Sequence, residues 1–150
     1  MIIKQFDLLL RENASYEYGR SNRKKFSDAD IVFKFCNSEA LCLGDRPEEH
    51  VYVFALNTKC ELIGMMQTGI GGASYAPVSI REIITFALQC SACGLILVHN
   101  HPSGDTQPSS DDYASASKLS DACELLNLKL LDSIIVGRYD YTSLKALGAL

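Results

Sequence analysis

The sequence predicts an α/β or α+β domain, a mixed sheet flanked by helices. Short runs rich in β-branched and aromatic residues, VYVFALN (51–57), GLILVH (94–99) and Lys129–Val136, are apolar on both faces, as buried strands are. Segments with hydroxyl caps and helical spacing alternate with them, which is the pattern of helices packed on a sheet. At 150 residues and 47% hydrophobic, one domain buries about two thirds of its unfolded surface, so neither disulfides nor a structural metal are needed for folding.

Residues 1–26 form an N-terminal arm or extension, with a short helical hint over Ile2–Arg11 and an exposed loop over Gly19–Lys25; the domain proper is 27–150. Ser27-Asp28-Ala29-Asp30 opens a helix carrying Ile31, Val32 and Phe35 on one side, closed by Gly44–Pro47. The run 51–57 is a buried central strand, and Asn57-Thr58-Lys59 turns into a second strand, Glu61–Thr68, as a hairpin. Glycines 69, 71 and 72 make a loop. Ser79-Ile80-Arg81-Glu82 is a capping box whose helix presents Ile83, Ile84, Ala87 and Leu88. The strand GLILVH, a Pro- and Gly-broken loop, a helix from Ser109 to about Leu126 and the strand Lys129–Val136 follow. YDYTSLKAL (139–147) supplies a short strand or turn and a final helical piece.

Composition removes some functions. A formal net charge of −4 argues against a dedicated nucleic-acid binder, whose domains carry a basic excess; the local exception is Arg20, Arg23, Lys24 and Lys25. The opening MIIKQFDLLL is interrupted by Lys4 and Asp7, and no apolar run nears the roughly 18 residues of a spanning helix. Neither a secretory leader nor a membrane partner is expected. The six cysteines, Cys36, Cys42, Cys60, Cys90, Cys93 and Cys123, lack disulfide-framework spacing and read as reduced thiols of a cytoplasmic protein. Cys90-Ser91-Ala92-Cys93 has no second pair, so packing at a helix end is its reading, with a redox or metal role as the alternative.

The chemistry lies in HNHPSGDTQPSSDD, residues 99–112. At a strand end, positions i and i+2 face one side, so His99 and His101 converge, and two such imidazoles favour zinc. Pro102 and Gly104 turn the chain so that a helix start, Ser109 to Asp112, returns over them. Asp112 supplies a third ligand, and Ser109 can cap the helix and still donate outward, since a hydroxyl has one donor and two acceptor sites. Taken singly, His-x-His and Ser-x-x-Asp are each ordinary structural features; the joint spacing is what points to a metal.

His-x-His, seven residues, Ser, two residues, Asp resembles the core of the JAMM (MPN+) metalloprotease motif. With the upstream VYVFALNTKCELIG and PVSIREIITFAL and the downstream LLDSIIVG, the chain from about 45 to 145 is similar to the RadC branch of JAB/MPN domains. The resemblance implies the JAB/MPN fold (JAMM, cytidine deaminase-like), one Zn2+ per chain on His99, His101 and Asp112, and Ser109 beside them. It also implies an upstream glutamate as general base, which points to Glu49, with Glu48 and Glu61 as competitors. Water activated by zinc, a proton moved by Glu49 and an oxyanion held by Ser109 amount to hydrolysis of a peptide or isopeptide amide bond.

Two departures stand out. The family commonly has Asp-His where this chain reads Asp132-Ser133; Asp132 is still expected to orient a ligand imidazole. Longer RadC proteins carry a helix-hairpin-helix region, and this sequence reads as the stand-alone RadC-type domain. His50, one residue from Glu49, faces the other way as surface or core. Alternatives to the hydrolase are a DNA repair or recombination accessory that makes weak nucleic-acid contact through Arg20, Arg23, Lys24 and Lys25, and a catalytically silent interaction module. Protein or peptide is the expected partner, with a homodimer formed by an edge strand or the arm.

Overall fold

Strand-forming runs and capped helices assemble, in the computed structural model, into one five-stranded mixed sheet with helices on both faces. Residues 25–39, 41–71 and 78–150 are described. The elements are α1 (Ala29–Cys36), β1 (Glu49–Leu56), β2 (Leu62–Gly71), α2 (Ile80–Gln89), β3 (Gly94–Asn100), α3 (Ser110–Leu125), β4 (Lys129–Val136) and β5 (Tyr141–Ser143). A short 3-10 helix, Leu43–Asp45, joins α1 to β1. The strand order is β2-β1-β3-β4-β5. β1 is antiparallel to both β2 and β3. β3 and β4 run parallel, so they need a crossover, and α3 is that crossover.

Pleating splits the apolar runs between two cores. Tyr52, Phe54, Leu56, Ile96, Val98, Ile134 and Val136 face α1, where Phe26, Phe35 and Phe54 meet edge-to-face with centroids 5.3, 5.9 and 5.5 Å apart. Val51, Val53, Ala55, Leu95 and Leu97 face α2 and α3. The interior strands β1 and β3 are buried almost throughout, as their two-sided apolar sequences require.

Several expected boundaries move. The cap of α1 is Asp28, whose carboxylate accepts the Asp30 N–H at 2.7 Å, and not Ser27. That helix ends at Cys36, well before Gly44–Pro47, because the Asn37 side chain turns the chain: Nδ2 donates to Gly137 O at 2.9 Å and Oδ1 accepts from Gly44 N at 2.8 Å. Gly69 and Gly71 belong to β2, paired with Val51 and Glu49, and not to a loop; residue 72 is outside the described residues. On α2 the buried face is Ile83, Phe86 and Ala87, whereas Leu88 is 53% exposed. The end of the chain forms β5 and turns. The arm's helical hint and loop, Ile2–Arg11 and Gly19–Lys24, lie outside the described residues.

Gly44 is required by proximity: a Cβ there would stand 2.2 Å from the carbonyl oxygen of Gly137 and 2.9 Å from Cα of Arg138. Backbone cannot yield as a side-chain tip can. Gly44→Ala should therefore lower stability by about 2–3 kcal/mol in denaturant unfolding; an unchanged midpoint would contradict the close approach.

Candidate metal centre

Antiparallel pairing sets Val51 opposite His99, and carrying that register two residues further sets Glu49 across from position 101. His99 is the penultimate residue of β3 and is buried; His101 lies just past the strand end. Their Nε2 atoms are 3.2 Å apart. The loop that follows shapes itself: Gly104 takes φ +77° and donates its N–H to His101 O at 2.9 Å. The Asp105 carbonyl then accepts from Nδ1 of His101 at 2.7 Å. An Nδ1–H directed at a carbonyl leaves Nε2 with its lone pair free for a metal.

Ser109 begins α3 through a complete capping box. Its Oγ accepts the Asp112 N–H at 3.2 Å, while its own N–H and O–H both donate to Asp112 Oδ2 at 2.7 Å. This pins the carboxylate in the first turn of the helix, where the macrodipole favours negative charge. Asp112 Oδ1 lies 2.9 Å from His99 Nε2, and Oδ2 lies 3.4 Å from His101 Nε2. Burial disfavours the charged Asp112, yet hydrogen bonds from His101, His99 and Ser109 and the charge of His99 outweigh it and hold the carboxyl well below its usual range. His101 is raised, first by its hydrogen bond to Asp112, against the opposing effect of burial.

The donor set fits zinc. Two ligands bound at ordinary zinc distances in a tetrahedron stand roughly 3.3 Å apart, close to the 3.2 Å between the two Nε2 atoms and the 2.9 Å from His99 Nε2 to Asp112 Oδ1, with His101 Nε2 3.4 Å from the other carboxylate oxygen. Among the described residues, His99, His101 and Asp112 are the one group of three or more such side chains able to gather on a single ion. They border a cavity of about 220 Å³, also lined by Glu49, Ser109, Ser133 and the apolar Val51, Val78 and Leu97.

The three candidate acids part company. Glu49, half-buried, lines the cavity. Glu48 is exposed on the other side, its Oε2 3.8 Å from His50 Nε2. Glu61 accepts from Asn57 Nδ2 at 2.7 Å in the hairpin turn. His50 is buried on the face away from the cavity, with Nδ1 2.7 Å from Gln67 Nε2, and burial lowers its pKa.

Asp132 differs from expectation. Its carboxylate accepts from Ser133 N at 2.7 Å, Ser143 Oγ at 2.6 Å and Lys145 N at 3.1 Å. It ties β4 to β5 and the chain just after it on the far face of the sheet, and among the described residues no imidazole is hydrogen-bonded to it. Of the basic arm, Arg20, Arg23 and Lys24 are outside the described residues, and the backbone of Lys25 pairs with that of Glu61 in an isolated antiparallel β-bridge. All six cysteines are free; burial pushes the Cys123 thiol up to about 11, so it is inert packing.

Two residues escaped the sequence reading. Asn100 is fully buried: Oδ1 accepts the His50 N–H at 2.9 Å, and Nδ2 donates to Glu48 O at 3.0 Å and Arg46 O at 3.2 Å. These bonds bracket Glu49 and hold the start of β1 to the strand carrying the histidines. Its signal was a lone amide in an apolar run, sent by strand alternation to the face opposite the histidines. Ser133, which the sequence marks only as standing where the family commonly has histidine, also lines the cavity.

A family model for the RadC-like JAB domain matches residues 26–149. Similar curated proteins include a UPF0758 protein of Carboxydothermus hydrogenoformans, 38% identical over 131 residues (87% of this chain, 57% of the relative). Others are a UPF0758 protein of Streptococcus suis, 40% over 103 residues (69% and 42%), and one of Chlorobaculum parvum, 35% over 128 residues (85% and 56%). The chain spans about half the length of these relatives. Among the described residues, no helix is long and apolar enough to cross a membrane.

Asn100→Ala strands one N–H and two carbonyls and should lower stability by about 2–4 kcal/mol; a loss below about 0.5 kcal/mol in denaturant unfolding would contradict the clamp. Asp112, held low, adds stability above the ordinary carboxylate value that is lost as pH falls through its folded value. His101, held high, adds stability below the ordinary imidazole value that is lost as pH rises through its folded value. The pair therefore stabilises metal-free protein most between about pH 4 and 6.5. In chelator, the melting deficit of Asp112→Asn should be largest near about pH 5.5 and shrink toward about pH 8; a deficit that grows over that interval would contradict the pairing.

Proposed function

The chain belongs to the RadC-like JAB domain family, and on that premise we propose that it is a zinc-dependent metallohydrolase cleaving a peptide or isopeptide amide bond. The observation that carries this reading is the convergence of His99, His101 and Asp112 at a cavity that Glu49 also lines. Zinc held by His99, His101 and Asp112 would supply Lewis acidity toward a carbonyl and lower the pKa of water.

The protein's own groups do the rest. Glu49 is held by β1 and contacts the cavity without joining the ligand cluster. Its carboxylate takes a proton from the attacking water and returns it to the leaving nitrogen, without which the amine is a poor leaving group. Ser109 Oγ keeps its bond from the Asp112 N–H while its hydrogen turns from Oδ2 toward the oxyanion. Asp112 still retains the Ser109 N–H, so it remains fixed during that swing. Losing one such oxyanion donor costs about 10²–10³ in rate. Val51, Val78 and Leu97 give the cavity an apolar wall, which keeps bulk water from weakening these electrostatics.

Elemental analysis of the purified chain should find about one zinc per molecule, lost in His99→Ala and Asp112→Ala. Glu49→Gln should keep its zinc and lose at least about 10²-fold in cleavage of a peptide library, read as new termini by mass spectrometry. Full activity in Glu49→Gln overturns the assignment, and so does a wild-type chain that takes up no zinc.

A further inference from the structure

Ser133 lies within β4 with Leu97 as its register partner, so its side chain shares the sheet face that carries His99 two residues along β3. It is 1% exposed and lines the same cavity as His99, Glu49 and Asp112. Its Oγ has no hydrogen-bond partner among the described residues. Buried hydroxyls are rarely left so, since a stranded polar atom loses its hydration without recompense.

His99, on the same sheet face and lining the same cavity, offers a complementary group. Nε2 of His99 faces His101 and Asp112. Its other ring nitrogen, Nδ1, has no hydrogen bond to a described residue, whereas Nδ1 of His101 is held by the Asp105 carbonyl. An imidazole that ligates through Nε2 carries its hydrogen on Nδ1, and an acceptor there fixes ring and tautomer. Asp132, the neighbouring carboxylate, is committed on the far face.

We propose that Ser133 is the positioning residue for His99: one water on the cavity floor accepts the Nδ1–H of His99 and donates to Ser133 Oγ. This rests on the zinc reading above. A water needs two or more polar partners to reside in such a place, and Ser133 Oγ and His99 Nδ1 provide them. The hydroxyl therefore acts on metal retention and contributes nothing to the stability of the metal-free fold.

Zinc affinity, measured by competition with a chromophoric chelator, tests this together with metal-free melting and ¹⁵N spectra of the histidine rings. Ser133→Ala should weaken zinc binding by about 10-fold or more while the metal-free melting temperature does not fall, because no hydrogen bond between described residues depends on that hydroxyl. Ser133→Thr, which keeps a hydroxyl, should bind within about threefold of wild type, and zinc-loaded wild type should have His99 protonated on Nδ1. Affinity within about twofold of wild type in Ser133→Ala overturns the proposal, since a second-sphere group should have a tenfold effect or more. So does a fall in metal-free stability that accounts for the weaker binding. If wild type binds zinc and Ser133→Ala is unchanged, only this inference fails; if wild type binds none, the proposed function fails with it.

Discussion

Three hydrogen bonds from one buried amide, Asn100, hold the carbonyls of Arg46 and Glu48 and the N–H of His50. They join the segment that delivers Glu49 to the strand that delivers His99. The His50 N–H is buried and would otherwise be stranded in a low-dielectric interior, and the two carbonyls are part-buried. The amide satisfies all of them and fixes the register at which β1 enters the sheet. Because alternate residues face opposite sides, a slip of one residue would turn Glu49 from the cavity and bring Glu48 or His50 into it. The separation of acid from imidazole thus rests on a side chain that touches neither.

A second economy lies in the Ser109–Asp112 box. The contacts that begin α3 also orient the carboxylate toward the imidazoles, so helix capping and ligand placement are one set of bonds. Oδ2 takes up the local donors and Oδ1 faces His99. The crossover needed to join the parallel strands β3 and β4 is what brings this helix start over the strand end.

Period and capping made most of the architecture legible. The two-sided apolar runs are interior strands, and Ser79 and Ser109 cap helices as their spacing implies. His99, His101 and Asp112 were readable because their geometry is local to a single strand–loop–helix stretch. The misses have physical causes. Asn37 ends α1 by bonding residues a hundred positions away, which no local signal encodes. Gly69 and Gly71 look like loop formers, but pairing with β1 holds them extended. Phe86 outcompetes Leu88 for the core because the helix is rotated to fit the sheet. Asp132 was assigned to the site by analogy, whereas strand alternation sends it to the opposite face beside Ser143.

The positions of the ligands and the acid along the chain have a consequence of their own. Both imidazoles and the carboxylate come from one short stretch, so gathering them closes small loops at low chain entropy. Glu49 arrives from a distant segment and depends on the long-range pairing of β1 with β3, whose loop closure carries a larger chain-entropy cost. On the proposed function, capture of an ion and readiness to move a proton would therefore be separable. If that function holds, a distortion confined to the start of β1 would leave the His99, His101 and Asp112 cluster intact yet displace Glu49, so metal content alone would be a poor measure of competence.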